Sequence, residues 1–224
     1  MQNAKALFQS ELNFIFTNKG EGWVEKRLGE ITTKIGSGAT PRGGGESYKP
    51  KGTSLIRSMN VHDFLFKEKN LAFIDDVQAK ELSNVVLEKN DVLINITGAS
   101  VARCCIIPDQ YLPARVNQHV SIIRPKKEIV DSNFLNFLLN SSFYKDQLLE
   151  TGEQGSTRQA ITKAQLQEFK INFPSLHHQH QIVKKLDALS HETQQLEAQY
   201  RQKLNSLEAL KKSILEKAFS GELK

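Results

Sequence analysis

The spacing of apolar residues changes near position 175. Beyond it, Ile182, Leu186, Leu189, Leu196, Tyr200, Leu204, Leu207, Leu210, Ile214 and Ala218 recur mostly at intervals of three or four, the spacing of one helix face. Leu189 and Leu196 are seven residues apart, with Thr193 at the seam position between them. The four-residue step from Tyr200 to Leu204 departs from a strict heptad. No Pro interrupts the stretch, and its first Gly is Gly221. The pattern predicts one helix over about 176–223, a rod of about 60 Å at ~1.5 Å per residue. Such a rod cannot bury its own stripe. It needs its own globular domain or a second long helix, and the Gln-, Glu- and Lys-rich remainder suits a two-helix seam.

Ahead of the rod the pattern is short and mixed. Residues 3–16 place Leu7, Phe8, Leu12, Ile15 and Phe16 on one side of a short amphipathic helix that stops at Asn18-Lys19-Gly20. A helix of that length is not stable alone in water, so it is expected to lie on the rod. Strands are predicted at 54–57, 91–96, 103–107, 116–124 and 170–173, with glycine-rich turns at 36–45 and at Gly98. Helices are predicted toward 139, over 141–149 ending at Gly152, and over 162–169 capped by Thr162. The expected fold is α+β, built on a twisted and largely antiparallel sheet. The expected domains are a short helix over 1–20, a globular domain over 21–175 and the long helix over 176–224. Ser175 is a natural cap for the rod, but the residue three on is His178 rather than Glu or Gln, so the capping box is incomplete.

Composition narrows the class. At 39% hydrophobic and 25% charged residues, the chain has the balance of an ordinary globular protein. No apolar run reaches membrane-span length and no signal-peptide core is present, which points to the cytoplasm. Two adjacent cysteines, Cys104 and Cys105, read as small buried hydrophobes rather than a disulfide framework. The net charge of +5 is unevenly spread. Residues 36–60 hold Arg42, Lys49, Lys51 and Arg57 against Glu46 alone, and residues 100–127 hold Arg103, Arg115, Arg124, Lys126 and Lys127 against Asp109 alone. Basic stretches of this kind permit nucleic-acid binding.

Three polar segments could carry that binding. The loop 36–45 lacks a terminal Gly-Lys-Ser/Thr and a dinucleotide glycine pattern. It suits close backbone approach to a phosphate and equally suits a plain surface loop. Asn117-Gln118-His119 is predicted inside an apolar strand, where it either braces a neighbouring loop or lines a binding surface. Residues 155–159 form a polar loop that is either a phosphate contact or a capped turn. The candidate DNA contacts are Thr40, Arg42, Gly43, Gly44, Ser47, Arg57, Asn60, Thr97, Ser100, Arg103, Gln118, His119, Ser156, Thr157, Arg158 and Gln159. His177, His178 and His180 read as a solvated face rather than metal ligands. The six prolines include no adjacent pair, so the Asp/Asn-Pro-Pro-Tyr run of an adenine methyltransferase is missing. No motif of a hydrolase, a metal site or an S-adenosylmethionine site is found. The expectation is a protein without catalysis, metal or cofactor.

Two stretches then carry a resemblance. Pro174-Ser175-Leu176-His177-His178-Gln179 leads into Ile182-Val183-Lys184-Lys185-Leu186-Asp187, and residues 210–223 include Lys212-Ser213-Ile214-Leu215-Glu216-Lys217-Ala218-Phe219-Ser220-Gly221-Glu222-Leu223. Both resemble the conserved helix of specificity subunits of Type I restriction-modification enzymes. The domain before it resembles a target recognition domain through Trp23, Leu28-Gly29-Glu30-Ile31, Gly36, Thr40-Pro41, 91–94, Gly98, Arg103, Asn117-Gln118 and 155–157. His178 departs from the family's usual Glu. The resemblance covers about residues 21–223. It implies a non-catalytic subunit that reads double-stranded DNA and holds modification subunits. Those partners supply S-adenosylmethionine and methylate adenine, and a motor subunit cuts. Full subunits have two recognition domains and two such helices packed antiparallel, whereas this chain has one of each. It is expected to be half of a longer subunit or a half-length subunit that forms a homodimer through Ile182, Leu186, Leu189, Leu196, Tyr200, Leu204, Leu207, Leu210 and Ile214. The competing expectation is a coiled-coil adaptor whose globular head binds protein.

Overall fold

The computed structural model describes residues 2–153 and 159–220. In chain order its elements are α1 (Gln2–Thr17), β1 (Val24–Arg27), α2 (Leu28–Ile31), β2 (Thr32–Ser37), β3 (Thr53–Ile56), β4 (Val61–His62), β5 (Leu65–Phe66), β6 (Ala72–Ile74), α3 (Asp76–Glu81), β7 (Val92–Asn95), β8 (Cys104–Ile106), β9 (Ala114–Val116), β10 (Val120–Pro125), α4 (Ser132–Asn140), α5 (Ser142–Glu153), α6 (Lys163–Glu168), β11 (Lys170–Phe173) and α7 (Leu176–Phe219). The fold is α+β. The chain divides into two compact units: Ile15–Val183, and the residues up to Phe14 together with those from Lys184 onward.

The larger unit does not contain one sheet. An antiparallel sheet in the order β2-β10-β7-β8 stands beside a three-stranded sheet, β6-β3-β9. In the latter β3 runs parallel to β9. Two antiparallel pairs, β1-β11 and β4-β5, complete it. All four residues of β7 are buried, as an interior strand with an unbroken apolar run requires. Leu93 joins Leu55, Ile56, Val116, Val120 and Ile122 in one core cluster. The last turn of α1 belongs to this unit. Phe16 is fully buried, with its ring 5.4 Å from Phe134 and 6.3 Å from Trp23.

The predicted strand over 116–124 is corrected to two strands of different sheets. The polar residues Asn117-Gln118-His119 form the turn between β9 and β10. Three large polar groups cannot be carried across an apolar ladder without partners, so the chain turns there and changes sheet. Below the turn lies a buried ion pair. Arg124 donates through Nε and Nη2 to Asp91 at 2.7 and 2.8 Å, and Asp91 is fully buried. Helix α4 is capped by Asp131, whose Oδ1 accepts from Phe134 N at 2.9 Å. Asn140 Nδ2 donates to the Cys104 carbonyl at 3.0 Å and ties α4 to β8. Gln179, fully buried, secures the first turn of α7: its Nε2 donates to Pro174 O at 2.9 Å and Ile129 O at 3.0 Å, and its Oε1 accepts from Asp131 N at 2.9 Å.

In the smaller unit α1 lies along the N-terminal part of α7. Lys185 pairs with Glu11 at 2.5 Å, and Leu12 and Leu186 are both completely buried. Leu186 is therefore a correction: one chain already covers it, so it is not free for a dimer seam. Leu189 is half-buried and Thr193 buried. Beyond Thr193 the stripe opens, with Leu196, Tyr200, Leu204, Leu207, Leu210 and Ile214 between 42% and 61% exposed and Phe219 at 90%. No described helix is long and apolar enough to cross a membrane.

Candidate nucleic-acid interface

Three loops of the larger unit meet at the ends of β2, β7 and β9. The loop after β2 is pinned first. Gly38 N donates to Asn117 O at 3.1 Å, and a Cβ on residue 38 would lie 1.9 Å from Val116 O. Only glycine permits that approach, which carries Thr40 to the turn. Thr40 Oγ1 then donates to Gln118 Oε1 at 2.5 Å. Gln118 Nε2 lies 3.1 Å from His119 Nε2, and His119 Nδ1 lies 2.6 Å from Thr97 Oγ1. An amide nitrogen can only donate, so His119 Nε2 accepts and Nδ1 carries the proton toward Thr97. The result is a one-way hydrogen-bonded relay from Thr40 to Thr97 that joins three loops. Asn117 braces its turn instead of facing a ligand: it is buried and its Oδ1 accepts from His119 N at 3.0 Å.

Beside this relay lies a cleft of about 490 Å³ whose lining includes Met59, Thr97, Ala99, Ser100, Arg103 and His119. Its floor is tied from below. Asn95, fully buried, donates through Nδ2 to Ser58 O at 2.9 Å and to Ser100 Oγ at 3.2 Å. Gln159 joins the same corner through its backbone, its carbonyl accepting from Gly98 N at 3.0 Å, while its side chain reaches Glu153. Thus Thr40, Thr97, Ser100, Arg103, Gln118, His119 and Gln159 come together. Ser156, Thr157 and Arg158 lie outside the described residues.

The remaining expected contacts are placed elsewhere. Arg42 and Gly43 are exposed in the loop that continues from Thr40, and Gly43 and Gly44 take positive φ of 89° and 56°. Ser47 Oγ donates to Gly44 O at 2.8 Å, which closes that loop on itself. None of these four lines the cleft. Asn60 is a correction. It is fully buried, donates to Lys67 O at 2.8 Å and accepts from Arg57 N at 3.1 Å, so it is a brace with no group left for DNA. Arg57 bonds the Asn70 carbonyl and lies 5.2 Å from the Tyr48 ring centroid. The basic clusters also shrink. Arg124 is held by Asp91, Lys126 donates to Glu30 O at 2.8 Å, and Lys49 pairs with Asp75 at 3.3 Å. Arg115 donates to Ala79 O at 3.2 Å, and burial lowers its pKa. Among the described residues, the cations of those stretches left without a partner are Arg42, Lys51, Arg103 and Lys127. Met59 and Asn95 were not legible as site residues; the one signal was a polar Asn ending an apolar strand just before Thr97-Gly98.

Known proteins resemble this chain in sequence and in fold. Residues 20–206 match the family profile described as Type I restriction modification DNA specificity domain. The chain is 27% identical over 172 residues to the Type I restriction enzyme EcoBI specificity subunit of Escherichia coli, covering 77% of this chain and 36% of that protein. It is 25% identical over 206 residues to the EcoKI specificity subunit of Escherichia coli strain K12, covering 91% and 44%. The fold matches the crystal structure of the HsdS subunit from Thermoanaerobacter tengcongensis with a TM-score of 0.69 at 23% identity, over 99% of this chain and 52% of that one. A chain solved in a study of assembly and conformational transition of the type I R-M system matches with a TM-score of 0.76 at 24% identity, over 97% and 52%. The chain spans less than half the length of these two curated relatives.

Proposed function

The chain belongs to the family of Type I restriction-modification DNA specificity domains, and from that premise we propose that it is one DNA-reading half of a Type I specificity subunit. The observation that carries this reading is the convergence of Thr40, Thr97, Gln118 and His119 from three loops beside the Arg103 cleft. Loops held on a rigid sheet are where base-reading side chains belong. The comparisons leave the reading as a protein-binding adaptor without support.

In this reading the chain has no catalytic role and acts in the cytoplasm. Modification subunits supply S-adenosylmethionine and methylate adenine, and a motor subunit cuts. The exposed stripe from Leu196 to Phe219 pairs with a second long helix. That helix belongs to a second copy of the chain or to the other half of a longer subunit. The exposed glutamines Gln194, Gln195, Gln199 and Gln202 offer a polar face to the modification subunit. Two copies about a two-fold axis would read two inverted half-sites.

The test is a salt titration of DNA binding by the full chain. Each phosphate contact should contribute a slope of about −0.9 in log K against log salt. Absence of sequence-dependent DNA affinity even at low salt would overturn the proposal.

A further inference from the structure

On the proposal that this chain binds DNA through its three-loop corner, the cleft beside the relay is furnished for one kind of base edge. Arg103 can only donate, and among the described residues its guanidinium has no acceptor. Ser100 Oγ accepts from Asn95 Nδ2 at 3.2 Å, an orientation held by that nitrogen's other contacts, to Ser58 O at 2.9 Å and Val61 O at 3.3 Å. Thr97 Oγ1 accepts the proton on His119 Nδ1. Both hydroxyls therefore keep their own hydrogens for a ligand. Among the described residues no carboxylate lines the cleft. Met59, 43% exposed, and Ala99 add an apolar wall.

With Arg103 a pure donor and both hydroxyl hydrogens free, the cleft favours a ligand that accepts. In the major groove guanine presents two acceptors, N7 and O6. Adenine places its amino donor where one of these would be, so donor would face donor. Cytosine presents a donor and thymine a single acceptor. A backbone phosphate shares guanine's chemistry, but it gains nothing from the apolar wall, which can pack against the carbon atoms of a base edge. We infer that the Arg103 cleft reads a guanine, with the guanidinium bidentate to O6 and N7 and the Thr40–Thr97 relay holding the opposite hydroxyl in register.

The experiment selects bound sequences from a random duplex library with the full-length chain, in wild type, R103A and R103K. Wild type should enrich a motif containing one fixed G·C pair. R103A should keep the rest of the motif, lose preference at that pair alone, and bind the wild-type motif about 5- to 150-fold more weakly. R103K keeps the charge as a point donor and should keep the salt slope without restoring the guanine preference. Placing 7-deazaguanine at the pair removes N7 and should weaken wild type but not R103A. Uniform weakening across all sequences, with a salt slope smaller by about 0.9, would assign Arg103 to a phosphate and overturn the inference. Relaxation at an A·T pair, or at no pair, would overturn it as well. Failure of the wild type to enrich any sequence would instead bring down the DNA-reading proposal itself. The Arg103 side chain has no partner among the described residues, so melting temperatures of the variants should match wild type, which separates readout from folding.

Discussion

Replacing Gly38 with alanine tests how the interface is held together. The new Cβ would lie 1.9 Å from Val116 O and 2.9 Å from Val85 Cγ2. The carbonyl cannot retreat, because Val116 is in parallel register with Ile56 and the next amide, Asn117 N, donates to Ile56 O at 3.0 Å. Residue 38 must move instead. That severs its bond to Asn117 O and draws Thr40 away from Gln118. Overpacking of this kind costs about 1–3 kcal/mol and a lost backbone hydrogen bond about 0.5–1.5 kcal/mol, roughly 1.5–4.5 kcal/mol together. In a domain of this size 1 kcal/mol moves Tm by about 2–4 °C, so the midpoint should fall by roughly 3–18 °C. Gly36, two residues earlier in β2, supplies the control: its Cβ would meet nothing within 4 Å, and Gly36→Ala should stay within about 0.5 kcal/mol of wild type. Thermal melts monitored by circular dichroism read the stability, and DNA affinity measured well below the midpoint reads the relay. If Gly38→Ala melts within about 2 °C of wild type and binds DNA equally well, the loop is not pinned as described.

Three further perturbations probe other parts of the molecule. Arg124→Met leaves the Asp91 carboxylate buried and unpaired and should destabilise by about 3–5 kcal/mol in denaturant titration, whereas a loss under about 1 kcal/mol would mean the pair is not needed. Changing Leu207, Leu210 and Ile214 to Asp should leave the melt of the globular unit unchanged and halve the mass seen by light scattering; a wild-type chain that is already monomeric at micromolar concentration would refute self-pairing. Burial pushes the Cys105 thiol up to about 12 and holds Cys104 well above the usual thiol value, so both stay protonated at pH 8. A thiol reagent should then label neither cysteine until denaturant is added, and prompt labelling of the native protein would contradict their burial.

The parts of the fold legible in the sequence are those governed by local periodicity. The α7 stripe, the apolar run of β7 and the Thr162 cap all rest on neighbours within a turn or a strand. Thr40, Thr97, Gln118 and His119 were legible as polar residues beside glycines or in an apolar setting, although not as one connected relay. What was missed depends on partners far along the sequence. Asn60 looks like a solvent-facing amide until the carbonyl of Lys67 is found beside it. Arg124 and Lys126 look like a basic patch until Asp91 and Glu30 O take them up. The β9–β10 turn was hidden because the apolar residues flanking it belong to two sheets, which a window on one strand cannot distinguish. Gln179 lay within the family motif, but its three bonds to the 129–131 loop and Pro174 emerge only in three dimensions.

The pairing of β1 with β11 has a consequence for how such a unit is inherited. Val24 lies opposite Phe173 and Arg27 opposite Lys170, in antiparallel register. The chain therefore comes in and goes out on neighbouring strands, about 4.8 Å apart. A segment whose two ends meet can be lifted from one polypeptide and set into another without stretching either host end. The ladder itself acts as the clasp. Recombination that exchanged everything between these two strands would deliver the whole intervening unit, and on the DNA-reading proposal the recipient would acquire a new target in a single event.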